Sequence, residues 1–115
     1  MKTELEYRTK AFAVQVVKEV LGFPKNAAGD VLGRQLMKSG TSIGANYREA
    51  NRAQSKDDFV HKVGIAEKEA SETQYWLEIC EEVGIGSPAS ISSLEQEAGE
   101  LLAILLTIGK NVRNR

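Results

Sequence analysis

The chain has 115 residues and nearly balanced charges, with 15 basic against 16 acidic side chains and a formal net charge of −1. This length suits one domain, and a hydrophobic content of 42 % excludes wholesale disorder. The single cysteine, Cys80, excludes an internal disulfide framework and a zinc–thiolate cluster. Because no apolar run is long enough to cross a membrane and the first residues lack a signal-peptide core, we expect a cytoplasmic protein with no membrane partner.

The charges are distributed unevenly along the chain. Residues 1–57 carry a net charge of +4, residues 58–100 carry −8 and residues 101–115 carry +3. The sequence therefore predicts a molecule that is electrostatically polarised although it is almost neutral in total.

The first half of the chain shows two helical patterns. Apolar residues spaced three and four apart predict a helix over about residues 3–21, and Gly22 and Pro24 follow it as stop signals. A second helix is predicted over about residues 29–53. Its middle, SGTSIGA, contains two glycines, each of which costs a helix about 1 kcal/mol relative to Ala. We expect this segment to bend or to be held by close neighbours, and in the second case Leu at Gly44 or Ala45 would overpack the contact.

The second half predicts two longer helices. One covers about residues 56–83 and starts after Ser55, which with Asp58 resembles a capping box. The other covers about residues 89–112 and carries a complete heptad pattern of apolar residues. Short connections between four helices predict an all-α, antiparallel, up-down four-helix bundle that fills residues 1–115 as one domain.

The third and fourth helices carry more apolar surface than one bundle buries. This surplus favours self-association, although a bundle that packs more widely at these helices would also explain it. The candidate interface residues are Trp76, Ile79, Leu102, Ile104 and Leu106.

No constellation of residues predicts catalysis, a metal site or a cofactor. His61 follows Asp58 at a ligand-like spacing, but a carboxylate-bridged di-metal bundle needs a second histidine, which the chain lacks. Cys80 continues the core stripe of its helix and has no evident base partner, so we interpret it as a buried structural thiol. We therefore expect a protein that is not an enzyme.

Basic residues near the turn between the second and third helices are the main candidates for binding. We expect Lys38 to be neutralised by Glu69 or Glu72 on the facing helix. A freer set remains near the turn, suited either to a nucleic-acid backbone or to simple solvation: Arg48, Arg52, Lys56 and Lys62.

Residues 34–79 resemble a known family. Three segments carry the likeness, namely the SGTSIGAN core followed by EA, the QSK–DF helix start and the KEA–ET–YWL run. Together they are similar to the bacterial four-helix-bundle proteins called intervening-sequence proteins of large-subunit ribosomal RNA. The accessory protein of diversity-generating retroelements is similar in fold.

The resemblance implies a bundle that assembles as a ring-shaped homopentamer. It also implies an RNA or ribonucleoprotein partner, because the retroelement relative binds nucleic acid and a reverse transcriptase through a basic surface. Arg48, Arg52, Lys56 and Lys62 match positions that are often basic in such proteins. The slightly acidic chain departs from that pattern, so a second hypothesis stays open: a protein-interaction scaffold without a nucleic-acid role, docking through its acidic third helix.

Overall fold

The structure, a computed structural model, describes residues 3–115. Its four helices are α1 (Glu4–Leu21), α2 (Ala27–Ala50), α3 (Lys56–Val83) and α4 (Pro88–Arg113). They run up and down in chain order and form a bundle with dimensions of 46 × 22 × 21 Å. Residues 3–115 contain no strand, so the prediction of an all-α four-helix bundle is confirmed.

Side-chain caps determine where three of the helices begin, and at the start of α1 the Thr3 hydroxyl accepts a hydrogen bond from the Glu6 N–H at 3.2 Å. The Asn26 side chain accepts a hydrogen bond from the Gly29 N–H at 2.9 Å, which starts α2 two residues before the predicted position. The Ser55 hydroxyl accepts from the Asp58 N–H at 3.0 Å and starts α3 where the sequence predicts. At the other end of α3, Gly84 adopts the left-handed conformation with φ 74°, which a residue without a Cβ adopts without strain.

One apolar core runs along the bundle. The core stripe predicted for α3 is buried from Val63 to Cys80, and the heptad positions of α4 are buried from Ile91 to Leu105. Three fully covered hydroxyls lie in or beside this core, and each donates to the carbonyl four residues earlier at 2.7–3.1 Å: Thr9, Ser39 and Thr73. These polar groups are therefore satisfied within their own helices.

Glycines bring α1 close to α2. A Cβ on Gly40 would lie 3.0 Å from Val16 Cγ2, and a Cβ on Gly44 would lie 2.9 Å from Thr9 Oγ1. These contacts hold the glycine-rich middle of α2 in a continuous helix. Of the two expectations for this segment, a bend or support by close neighbours, the second is therefore confirmed. Ala45 is exposed, however, so the expectation that Leu at this position would overpack the contact is wrong.

The side of the bundle between α1 and α4 is the least closely packed. A polar clamp connects the two helices there: Arg8 Nε lies 2.7 Å from Glu97 Oε2, and Arg8 Nη2 lies 2.7 Å from Glu100 Oε1. Beyond the clamp, the helices separate into grooves that Gln15 and Ser93 line.

Candidate nucleic-acid interface

Three separate chain segments meet at one end of the bundle. Because successive helices alternate in direction, the start of α1, the α2–α3 turn and the end of α4 lie together, and Lys56 Nζ donates a hydrogen bond to the Arg115 carbonyl at 2.8 Å. We call residues 3–10, 46–62 and 108–115 the basic end. Counted by these residues alone, it carries nine cations and five anions, a net charge of +4, and one of the nine, Arg8, is paired with Glu97 and Glu100 outside it. The other described residues carry five cations and eleven anions, a net charge of −6.

The four cations predicted from the sequence all belong to the basic end. Arg48, Arg52 and Lys56 are exposed, and Lys62 is half-buried. Within residues 3–115, Arg48, Arg52 and Lys62 form no ion pair. Their charges are therefore not consumed by direct pairing in the folded chain.

Glu6 moderates the field of this end. Its carboxylate accepts a hydrogen bond from Asn51 Nδ2 at 2.8 Å and another from the Thr3 N–H at 3.3 Å. The bond from Asn51, assisted by that from Thr3 and by the charges of Arg48 and Arg52, lowers the pKa of Glu6 below its usual value. Glu6 therefore stays ionised and partly offsets the two arginines.

The C-terminal cations are the part of this surface that sequence reasoning missed. Lys110, Arg113 and Arg115 are exposed at the basic end, because α4 continues to Arg113. The sequence does contain signals for them: the apolar heptads continue to Val112, and an up-down order of four helices returns the last one to the α2–α3 turn.

Lys38 does not form the ion pair predicted for it. Both ion pairs found in the described part of the chain belong to Arg8, and Lys38 is exposed. Facing positions in two antiparallel helices are necessary for a pair but not sufficient, because a solvated lysine gains little from fixing its long side chain.

The apolar candidates for self-association do not form one patch. Gln74 faces α4, since its Nε2 lies 3.2 Å from the position of a Cβ on Gly99. At about 100° per residue, Trp76 is turned to the other side of α3 from Gln74. Ile79 lies beyond it on that side, so these two residues face away from α4.

The remaining candidates lie on α4. Leu102 and Leu106 follow Gly99 by three and seven residues and share its α3-facing side, whereas Ile104 is turned away from them. Leu106 is 47 % exposed, while Leu102, like Trp76, packs partly against the core. Leu106 is thus the most accessible of the five, and the indole nitrogen of Trp76 is covered by the chain itself.

The residues considered for chemistry stay apart. His61 and Asp58 are exposed, and the described residues contain no group of three or more side chains able to hold a metal ion. Burial, assisted by the charges of Glu19 and Glu95, raises the pKa of the Cys80 thiol to about 11. No helix within residues 3–115 is long and apolar enough to span a membrane.

These features define a class of protein: a small up-down four-helix bundle whose long axis is electrostatically polarised. The sequence pattern of the 23S rRNA-intervening sequence proteins matches residues 2–107, so the chain belongs to that family. It is similar to the crystal structure of a protein of unknown function from the S23 ribosomal protein family of Bacteroides thetaiotaomicron. The two share 37 % identity with a TM-score of 0.83, over 92 % of this chain and 98 % of that one. Comparison with curated proteins gives no match.

Proposed function

We propose that this chain is a non-enzymatic, self-associating RNA-binding bundle whose basic end contacts the RNA backbone. The observation that carries the proposal is the meeting of the α2–α3 turn with the C-terminus of α4, which adds Lys110, Arg113 and Arg115 to the predicted cations. Clustered Lys and Arg side chains attract phosphates and release bound counterions. The name of the family to which the chain belongs refers to the 23S rRNA, and this supports RNA as the partner.

Assembly strengthens this binding in the proposal. A single +4 end is a weak ligand for a polyanion, whereas a ring of subunits, five as the resemblance implies, presents several such ends together. The exposed Leu106 and the partly exposed Ile79 supply apolar surface for subunit contacts.

A salt series with charge-reversal variants tests the RNA contact. If four cations contact phosphates of a single-stranded RNA, affinity falls about 50-fold between 50 and 200 mM salt. Arg48→Glu with Arg52→Glu should abolish binding in fluorescence anisotropy. The matched control, Lys18→Glu with Lys25→Glu, makes the same charge change at exposed positions outside the basic end and should leave appreciable binding. Equal loss in both double variants would remove the basic end from the proposal.

Light scattering tests the assembly. The wild type should have the mass of an oligomer, and Leu106→Glu should lower that mass while circular dichroism stays helical, because Leu106 is 47 % exposed and not part of the core. Leu102→Glu should also weaken the oligomer but would disturb the fold more, since Leu102 packs against the core. A monomeric wild type would contradict self-association.

The scaffold hypothesis has one observation in its favour. Burial and the nearby charges of Glu81 and Glu78 raise the pKa of Glu95, which indicates an acidic surface where these three carboxylates lie near one another. Such a surface suits a basic protein partner. Capture of partners from nuclease-treated and untreated lysate separates the two functions, because only RNA-dependent capture is lost on nuclease treatment.

A further inference from the structure

A groove between α1 and α2 opens beside the basic end. It has a volume of about 190 Å³, and the small residues Ala13, Gly44 and Ala45 are part of its lining. Lys10 and Arg48 line it together with Tyr7, whose side chain is 61 % exposed. Gly44 lines the groove where α2 packs against Thr9 of α1, since a Cβ on Gly44 would lie 2.9 Å from Thr9 Oγ1.

We propose that this groove binds one unstacked base of a single-stranded RNA, stacked on the Tyr7 ring, with the adjoining phosphates on Lys10 and Arg48. The inference rests on the proposed RNA binding and specifies its substrate class. Aromatic rings provide stacking platforms for bases that are not paired, and cations beside them follow the backbone.

The groove suits a base whose adjoining phosphates are held by the two cations, because its lining also carries one anion. Glu6 also lines the groove and stays ionised, which would repel a phosphate placed inside. A base is uncharged, has apolar faces that can pack against Ala13 and Ala45 of the lining, and carries polar edges. Glu6 Oε1 forms no hydrogen bond with any described residue, so it is available to accept one from an exocyclic amino group.

The geometry also favours single strands over duplexes. In an A-form duplex the bases are stacked on each other and paired, so a groove at the side of a helix pair cannot receive one. A duplex would still contact the basic end through its phosphates. The affinity for single-stranded RNA therefore depends on the groove and on the basic end, whereas the affinity for duplex RNA depends on the basic end alone.

The test measures the affinity of the full chain for a single-stranded oligonucleotide and for the matching duplex. Tyr7→Ala should weaken single-strand binding about 5- to 150-fold, the range observed when one stacking ring is lost, and leave duplex binding unchanged. Tyr7→Phe keeps the ring and should bind like the wild type. Tyr75→Ala removes a similarly exposed tyrosine ring from α3 and should leave the affinity for both RNAs unchanged. Photocrosslinking with a 5-iodouridine oligonucleotide should label Tyr7.

The other outcomes overturn the proposal in distinguishable ways. If Tyr7→Ala leaves single-strand affinity unchanged while Arg48→Glu with Arg52→Glu abolishes it, the base site is wrong and the backbone contact stands. If Tyr7→Ala lowers the mass of the assembly without changing RNA affinity, the groove is a subunit contact instead. If the wild type binds neither RNA at low salt, both this site and the proposed function are wrong.

Discussion

Gly44 and Ala45 are neighbours in α2, yet a side chain added at each would meet different surroundings. Gly44 lies against Thr9 of α1, with its hypothetical Cβ 3.0 Å from Thr9 Cβ, whereas Ala45 is exposed. Helical spacing alone distinguishes poorly between such adjacent small residues, because neither contributes an apolar stripe. The structure therefore changes the expectation at one position and keeps it at the other.

Gly44→Leu should destabilise the fold by about 1–3 kcal/mol, since the larger side chain must displace α1. Ala45→Leu should change the free energy of unfolding by less than about 0.5 kcal/mol, as is usual for exposed positions. Urea unfolding followed by circular dichroism measures both. Equal destabilisation by the two variants would mean that α1 and α2 pack in another register.

Glu95 makes stability depend on pH in the direction opposite to most carboxylates. Burial, with Glu81 and Glu78, raises its pKa in the folded state, so ionisation favours unfolding. This penalty is absent below the unfolded pKa, grows as the pH rises through the folded pKa, and is complete above it.

Glu95→Gln should therefore raise the melting temperature at pH 7, and the gain should shrink as the pH is lowered toward 4. Glu82→Gln removes the same charge from an exposed position of α3 and should give a smaller gain. Thermal unfolding at several pH values measures both variants. A Glu95→Gln variant that is less stable than the wild type at pH 7 would show that the carboxylate is favourably bound.

At the level of the helices, the sequence predicts most of the architecture. The heptads of α3 and α4 identify the buried stripes, and Ser55 and Gly84 correctly limit α3. The bounds of α2 are less accurate, because the Asn26 cap operates through one side-chain hydrogen bond and leaves no periodic signal. The glycine contact between α1 and α2 could be anticipated only as one of two alternatives.

The part of the candidate site that lies within one stretch of sequence could be predicted, and the part that depends on folding could not. Arg48, Arg52 and Lys56 lie close together in sequence, so a local pattern finds them. Arg115 reaches Lys56 only through the folded bundle, and the α1–α2 groove with Tyr7 arises from packing. Contacts between distant segments depend on how neighbouring helices are aligned along their length. The spacing of apolar residues within one helix does not determine that alignment.

Glycines within helices offer a matched comparison at this scale. A Cβ on Gly64 of α3 would meet nothing within 4 Å, whereas a Cβ on Gly40 of α2 would lie 3.0 Å from Val16 Cγ2. Gly64→Ala should raise stability by about 0.5–1 kcal/mol, because Ala is the better helix former. Gly40→Ala should gain less or lose stability, since Val16 must move. Denaturant midpoints test the pair, and a larger gain at Gly40 would contradict the close α1–α2 contact.

The whole molecule is organised along its 46 Å axis. The end where α2 meets α3 and α4 finishes carries a net charge of +4, and the rest of the described chain carries −6. A near-neutral total therefore conceals one surface suited to a polyanion and another that repels it. In the proposed function this polarity orients the approach of RNA, and its effect decreases with ionic strength because exposed charges are screened within about 10 Å at 0.1 M salt.

Amide chemical shifts of the isotopically labelled full chain, followed while a single-stranded RNA is added at low salt, test this polarity most directly. The account predicts that perturbations concentrate in residues 3–10, 46–62 and 108–115 and disappear as salt is raised. Perturbations concentrated at the opposite end, in the α1–α2 loop and around Gly84, would contradict it, as would a spectrum that RNA leaves unchanged.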